Sequence, residues 1–307
     1  MDARTNYFDE VVRQSELALK KHQKSKEELA KCIAIIKDWL TSQPHIPEIP
    51  DEILIGNFLF MNKFSIESTK QRLDMYYTKQ SLIPELFEKN HPHQPKMKLF
   101  IDDAYLLPIP KSTDDGYRIT VFKLKNTDPA HYNVPEFLGS FFNSLEVRLH
   151  EDYFVGEILI YDFKDMSLGH MVKITPMWMK RGTTVLEKVF NNSVHQIHLV
   201  NYPSYADPVL RMAKQIMKPK LAERIHLHPT IETITNFIPY RLLPEEFGGK
   251  ERSLVELHEL WKQKLEDYKE RFDVLSKLRV DESKRPSPLI NDEILGFYGN
   301  FKKLDVD

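Results

Sequence analysis

The sequence predicts an α/β protein in which a mainly parallel sheet, flanked by helices, follows a small all-helical domain. Three short apolar runs, at residues 157–162, 194–201 and 223–228, are separated by segments of helix length. Strands that alternate with helices favour a parallel sheet covered by helices. Runs this short and this apolar are typical of strands that are buried on both faces. A further strand is predicted over residues 117–124.

Residues 1–90 are predicted to form the helical domain. Ser25 and Glu28 have the spacing of a capping box, and apolar residues follow them at intervals of three and four. Asp51 is placed to cap a second helix, and a third helix is predicted to begin at Ser65. These patterns indicate a small bundle of helices.

Residues 91–250 are predicted to form the main domain, and residues 251–307 a C-terminal helix with a flexible tail. Little regular structure is predicted for residues 91–116, where prolines recur, and a long helix is predicted over residues 134–153. Residues 253–278 carry a capping box and one continuous apolar stripe. This stripe predicts a helix that packs on the N-terminal domain as a cover; docking of an exchange partner is the alternative.

Composition and charge exclude several classes of protein. The chain has 307 residues, 41% of them apolar, with a net charge of −2, so it has no global field that would attract nucleic acid. No run reaches the ~18 apolar residues of a membrane span. Cys32 is the only cysteine, and the residues after Met1 lack the apolar core of a signal peptide. The expected compartment is the cytosol.

Signatures of catalysis are missing from the sequence. It has no glycine-rich phosphate loop, nucleophile elbow or zinc-protease motif, so neither an enzyme nor a cofactor is expected. His226 and His228 share one face of a predicted strand and could in principle chelate a metal. A metal site needs further ligands, however, and we therefore interpret the histidines as satisfied or surface residues, with no metal site.

Two helices between the apolar runs have functional interpretations. Over residues 171–190, apolar side chains at three- and four-residue steps form one wide face that includes Gly182, and by pattern alone this face is core. The second helix is predicted after Asp207 as N-cap and Pro208 as its first residue. It has an apolar side and a basic side, which is typical either of a surface helix or of a lid that opens at a membrane.

The order of these runs, closed by Leu242-Leu-Pro-Glu-Glu-Phe-Gly-Gly249, resembles the CRAL-TRIO family of lipid-exchange proteins. The resemblance implies the CRAL-TRIO lipid-binding fold with a mobile lid helix, preceded by a helical domain. It also implies a carrier that moves one hydrophobic molecule between membranes. An isoprenoid-like molecule is favoured, such as tocopherol, a retinoid or carotenoid, or a terpenoid hormone. A phosphoinositide-dependent regulatory or scaffold protein is the alternative, and a small-molecule enzyme is less favoured.

The same resemblance implies which residues bind the lipid. The cavity wall is implied to consist of Tyr161, Ile174, Trp178, Gly182, Val185, Leu186, Phe190, Val194 and Ile197. The lid is implied to contribute Val209, Met212 and Ile216. Gly182 stands where relatives often have a bulky side chain, which implies additional space for the ligand.

A site for a phosphoinositide head group is implied beside the lid. Its residues are Lys214, Lys218, Lys220 and Arg224. Ser193 and His195 stand where a relative has lysine and arginine, and His195 would add charge below about pH 6.5. The partners implied are thus a hydrophobic ligand and a transiently contacted anionic membrane. The alternative is that Lys220 and Arg224 only solvate the end of the lid.

Overall fold

The structure, a computed structural model, describes residues 6–191 and 193–286. Its N-terminal part is helical and precedes the sheet. The helices of this part are α1 (Val11–Lys21), α2 (Lys26–Thr41), α3 (Glu52–Met61), α4 (Ile66–Leu82), α5 (Pro84–Phe87) and α6 (Pro95–Asp103).

Side-chain caps begin the helices that the sequence predicts in this part. The Ser25 hydroxyl accepts from the backbone N–H of Glu28 at 3.1 Å, and the Glu28 carboxylate accepts from the N–H of Ser25 at 2.9 Å. The Asp51 carboxylate accepts from the N–H of Leu54 at 2.7 Å, and Ser65 caps α4. Each cap satisfies an N–H group that has no partner inside the helix.

The remaining elements alternate between strands and helices. The strands are β1 (Ala104–Ser112), β2 (Arg118–Leu124), β3 (Glu157–Asp162), β4 (Val194–Val200) and β5 (Ile225–His228). The helices are α7 (Val134–Glu151), α8 (Leu168–Met171), α9 (Pro176–Val185), α10 (Asp207–Ile216), α11 (Pro219–Ala222), α12 (Leu254–Asp267) and α13 (Lys269–Lys277). Short 3-10 turns connect several of them.

The five strands form one mixed sheet in the order β1-β2-β3-β4-β5. Strands β2 to β5 run parallel, and β1 is antiparallel to β2. Right-handed crossovers between consecutive neighbours put the connecting helices on the same face of a sheet. The predicted mainly parallel sheet is therefore confirmed, with one antiparallel edge strand in addition.

Residues 91–116 contain more structure than the sequence predicts. Helix α6 and strand β1 both lie in this segment. Prolines remove ladder hydrogen bonds and so argue against a central strand. Pro108 and Pro110 are tolerated because β1 is at the edge of the sheet, and the register shifts between Pro108 and Ser112.

The helix predicted over residues 171–190 is broken. The Thr175 hydroxyl accepts from the backbone N–H of Trp178, and Pro176 lies in the first turn, so α9 begins there as a new helix. At its C-terminal end the chain widens into a π-helical turn, Leu186–Phe190.

The C-terminal helix is also divided, at Tyr268. The predicted apolar stripe is buried, but α12 packs on β1 and on the sheet face opposite to the crossover helices, not only on the N-terminal domain. The predicted flexible tail begins with an ordered segment, in which the Arg285 guanidinium lies 2.6 Å from the Asp74 carboxylate. Its remainder, residues 287–307, lies outside the described residues.

Each face of the sheet contributes to its own core. Phe122, Leu159 and Ile197 face one core, which extends into the helical domain. Val121 and Ile160 face the other, which α12 covers. No helix in the described part of the chain is long and apolar enough to cross a membrane.

Candidate functional site

The residues predicted to bind a lipid lie together on the sheet face under α9 and α10. Val185, Phe190, Val194 and Ile197 are buried in that core. Partly buried residues that pack against it are Tyr161, Ile174, Trp178, Leu186 and Val209. Their role in binding stays a prediction, but their common location on one continuous apolar surface is what a lipid cavity requires.

The space beside Gly182 is filled by the side chain of Leu138. A Cβ atom added at Gly182 would lie 2.9 Å from Leu138 Cδ2, closer than real Cβ atoms approach their neighbours. The expected additional space for a ligand is therefore absent from this packing. A ligand beside Gly182 requires the Leu138 side chain to move.

A cavity of about 20 Å³ lies at the edge of this core, between Phe190, Phe142 and Lys79. That volume has room for about one water molecule, far less than a lipid needs. The Lys79 amine is fully buried, and burial lowers its pKa to about 7. The apolar face is thus closed, and only movement of its covering helices can give it the volume of a lipid.

The π-helical turn Leu186–Phe190 is the irregular part of this cover. Such turns are rare in proteins and occur frequently at functional sites. The following residue, Asn191, has a positive φ of 48°, and its side-chain amide donates to the Met61 carbonyl at 2.9 Å. One end of the turn is therefore fixed to the helical domain.

Helix α10, which the sequence analysis interprets as a lid, packs on α9, and its role as a lid stays a prediction. Ala213 is buried, while Met212 and Ile216 are half-buried. Asp207 is the first residue of the helix rather than its cap, and its carboxylate accepts from the Tyr202 hydroxyl at 3.0 Å. This hydrogen bond ties the N-terminal end of the lid to the segment that follows β4.

Comparison with the profiles of protein families identifies the domain that contains these residues. The profile of the CRAL/TRIO domain matches residues 102–249, which include all five strands, the predicted cavity residues and α10. Residues 102–249 form a CRAL-TRIO domain. The profile of the Pinta-like UBA domain matches residues 25–97, so the helical part matches a separate domain family. CRAL-TRIO proteins bind and transfer lipophilic ligands.

Curated relatives support the same assignment. Alpha-tocopherol transfer protein-like from Mus musculus is 23% identical over 221 residues, which are 71% of this chain and 64% of the relative. Clavesin-1 from Rattus norvegicus is 26% identical over a region that covers 70% of this chain and 62% of Clavesin-1. Clavesin-2 from Homo sapiens is 23% identical over a region that covers 84% of this chain and 79% of Clavesin-2. The chain thus spans 64% of the length of the first of these relatives.

A solved structure titled "Crystal structure of Sfh5" is similar with a TM-score of 0.46 at 13% identity. The similarity covers 84% of this chain and 99% of that one. At this TM-score it carries no argument about the present chain.

The cations predicted to bind a phosphoinositide differ in their surroundings, and their common role stays a prediction. Lys214 and Lys220 are exposed, and the Lys218 amine lies 2.9 Å from the Glu187 carboxylate. Arg224 is half-buried, and its guanidinium donates to the Val194 carbonyl. Of these four residues, Arg224 is the one that the structure holds at the start of β4.

An exposed apolar patch lies beside the lid of the CRAL-TRIO domain. Leu168 and Val172 are 59% and 69% exposed, and Met177 and Tyr205 are exposed as well. Here, "apolar patch" means these four residues, from α8, the residue after it, the start of α9 and the turn before α10. The sequence analysis missed the patch, because an apolar side chain in sequence does not show whether it points inward.

Two histidines of the parallel strands, His198 and His228, are hydrogen-bonded to each other. His198 Nδ1 lies 2.9 Å from His228 Nε2, and His228 Nδ1 lies 2.8 Å from the Thr233 hydroxyl. Burial, together with the neighbouring His228 and His226, lowers the pKa of His198 to about 3. Among the residues that the structure describes, no cluster of metal-ligating side chains could hold a metal ion.

Proposed function

We propose that this chain binds a single hydrophobic lipid under α9 and α10 and transfers it between membranes. The observation that carries the proposal is the closed apolar face of a CRAL-TRIO domain, covered by a π-helical turn and an amphipathic helix. Structures that must open are drawn from weakly packed elements. No catalytic activity is part of the proposal, because the side chains proposed to contact the ligand are mainly apolar.

We further propose an isoprenoid-like lipid as the cargo. The name of the alpha-tocopherol transfer protein-like relative supports this class of ligand. Removing about twenty carbons from water is favourable by roughly 16 kcal/mol, at ~0.8 kcal/mol per CH₂. An apolar site of that size competes with a bilayer without any covalent step, so the chain acts as a carrier.

Docking on a membrane is the second part of the proposal. The apolar patch adjoins α10, the proposed lid, and the basic side of that helix is exposed. Apolar side chains that enter the head-group region and cations that meet anionic phosphoinositides together hold a protein on a bilayer. We propose that a cytosolic chain docks through this surface, so that the lid opens toward the lipid.

The test is to identify what the protein contains. Purified protein is extracted with organic solvent, and the extract is analysed by mass spectrometry against the protein concentration. We expect about one apolar lipid per chain. Its conversion to a product on incubation would instead indicate an enzyme.

A pair of matched variants locates the lipid. Leu186→Trp adds bulk to a partly buried leucine of the proposed site, and Leu260→Trp does the same in the opposite core. We expect Leu186→Trp to lose most of the lipid and Leu260→Trp to retain it. Wild-type protein that contains no lipid and takes none up from vesicles would contradict the proposal.

A further inference from the structure

The Lys79 amine is a buried polar group beside the proposed lipid site. The residue is 5% exposed, and among the residues that the structure describes its amine donates no hydrogen bond and has no carboxylate within 4.0 Å. Lys264, which is 1% exposed, lies by contrast 2.9 Å from the Glu151 carboxylate. A buried amine without such a partner costs free energy, which the polar group of a ligand would offset.

Aromatic rings surround this amine. It lies 3.3 Å from the ring centroid of Tyr76, 5.6 Å from that of Phe87 and 5.7 Å from that of Phe190. Lys79 and Phe190 both line the cavity of about 20 Å³ described above. Phe190 ends the π-helical turn, so displacement of that turn would join the cavity to the proposed lipid site. The amine would then face one end of a bound lipid.

Glu146 lines the same cavity, but other groups occupy its carboxylate. It accepts from the Tyr76 hydroxyl at 2.6 Å and from the Arg271 guanidinium at 3.2 Å. Burial lowers the pKa of Lys79 to about 7, with Glu146 acting in the opposite direction and Arg271 in the same one. Part of the amine is therefore uncharged near neutral pH, and an uncharged amine is a nucleophile.

A desolvated lysine of this kind reacts with carbonyl groups. The nitrogen attacks the carbonyl carbon of an aldehyde, a C=N bond replaces the C=O bond, and the oxygen leaves as water with the two N–H protons of the amine. If the imine nitrogen is protonated, the face of the Tyr76 ring stabilises its charge. A carboxylate ligand would instead meet the negative faces of these rings, so the surroundings favour an aldehyde.

We propose that Lys79 forms an imine with the aldehyde group of an isoprenoid cargo, which the protein then holds covalently and reversibly. Closure of the cover excludes water and preserves the imine, and water that enters on opening hydrolyses it and releases the aldehyde. This inference rests on the proposed lipid carriage and deepens it, because it names the reactive group of the cargo. The sequence analysis missed Lys79, because one lysine in a helix does not show that it is buried.

The experiment uses two probes with the same chain, the aldehyde farnesal and the alcohol farnesol. Purified protein from which lipid has been removed is incubated with equimolar farnesal and sodium cyanoborohydride, digested, and mapped by mass spectrometry. We expect a reduced adduct at Lys79 that excess farnesol suppresses. Lys264, buried but paired, should remain unmodified, and exposed Lys220 reports reaction that needs no binding site.

Lys79→Met tests the role of the amine separately from the fold. Methionine keeps an unbranched side chain and removes the buried polar group, so urea unfolding should show no loss of stability. The variant should take up farnesol as the wild type does, but lose the adduct and the additional retention of farnesal on gel filtration. Lys220→Met, which removes an exposed amine, should retain both.

The outcomes separate this inference from lipid carriage itself. Wild-type protein that takes up both probes without an adduct at Lys79 would overturn the inference alone. An adduct that forms equally at Lys220, or that excess farnesol does not suppress, would also overturn it, since no bound state would then direct the reaction. Protein that takes up neither probe would contradict the isoprenoid carrier and this inference together.

Discussion

The two faces of the sheet are covered in different ways. On one face, α12 seals the core with Leu254, Leu257 and Trp261, none of them more than 3% exposed. On the other face, α9 presents the half-buried Trp178, and the π-helical turn that interrupts the cover presents the half-buried Leu186. Under the proposed function, the first cover contributes mainly to stability, while the second is the one that opens to admit a ligand.

The largest expected effect compares a tryptophan from each cover. Trp261→Ala should lower the free energy of unfolding by about 3–5 kcal/mol, because it leaves a cavity in a sealed core. Trp178→Ala should cost only about 1 kcal/mol, since its ring is partly exposed. Urea unfolding followed by circular dichroism measures both. Equal losses would remove the distinction between the two covers.

The contact between α7 and the helical domain also predicts a dependence of stability on pH. Burial opposes the charge on His150, but the neighbouring carboxylates of Asp51 and Glu146 raise its pKa to about 9. A raised pKa adds stability that is complete below the unfolded value of about 6.5 and is lost as the pH rises through about 9. The loss should be ~3 kcal/mol at most. His150→Gln should remove this dependence from urea unfolding curves, and an unchanged pH profile would contradict the assignment.

The open side predicts a change in transfer rate. Tyr202→Phe deletes only the hydroxyl that donates to Asp207 at the start of α10, a bond of about 1 kcal/mol. Lipid transfer between vesicles should accelerate by up to about fivefold, because the lid opens more often. Tyr240→Phe, at an exposed tyrosine far from the lid, is the control. A rate equal to wild type would show that this bond does not restrain the lid.

The smallest effect concerns His22 and His195. Burial lowers the pKa of His22, and Lys21 and Lys63 lower it further. Burial also lowers the pKa of His195, as do Arg224 and Lys21, while Asp115 acts in the opposite direction. Both rings are therefore neutral at neutral pH and gain charge only under acidic conditions. The ratio of vesicle binding by wild type to that by His22→Gln/His195→Gln should rise by up to about fivefold on acidification. A ratio independent of pH would exclude these histidines from membrane docking.

Local patterns accounted for much of the fold but not for its long-range contacts. The strands from β2 to β5 are predictable because their apolar runs are bounded by polar residues, and Ser25 and Asp51 mark helix starts directly. Strand β1 escapes prediction because the rule against prolines holds for central strands and not for edges. The break is marked in the sequence by Thr175, a capping residue directly before Pro176. The sequence analysis nevertheless predicts one continuous helix, because the apolar residues keep helical spacing on both sides of Thr175.

The candidate site was predictable to a different degree in its two parts. The apolar residues fall on adjacent elements, so their periodicity and the family resemblance bring them to one face. Lys21 lies close enough to Arg224 and Lys63 for their charges to lower its pKa, although the three residues are far apart in sequence, and no local pattern contains that proximity. Leu138 fills the space at Gly182 for the same reason, since packing between α7 and α9 is a property of the fold.

Hydrogen exchange of the two covers tests the central claim most directly. Amide exchange is measured by mass spectrometry on the protein with its co-purified lipid and after removal of that lipid. We predict that α9, the π-helical turn and α10 exchange faster than α12, and that the bound lipid slows exchange in those three elements while leaving α12 unchanged. Equal exchange in the two covers, or protection by lipid that falls on α12, would contradict the account.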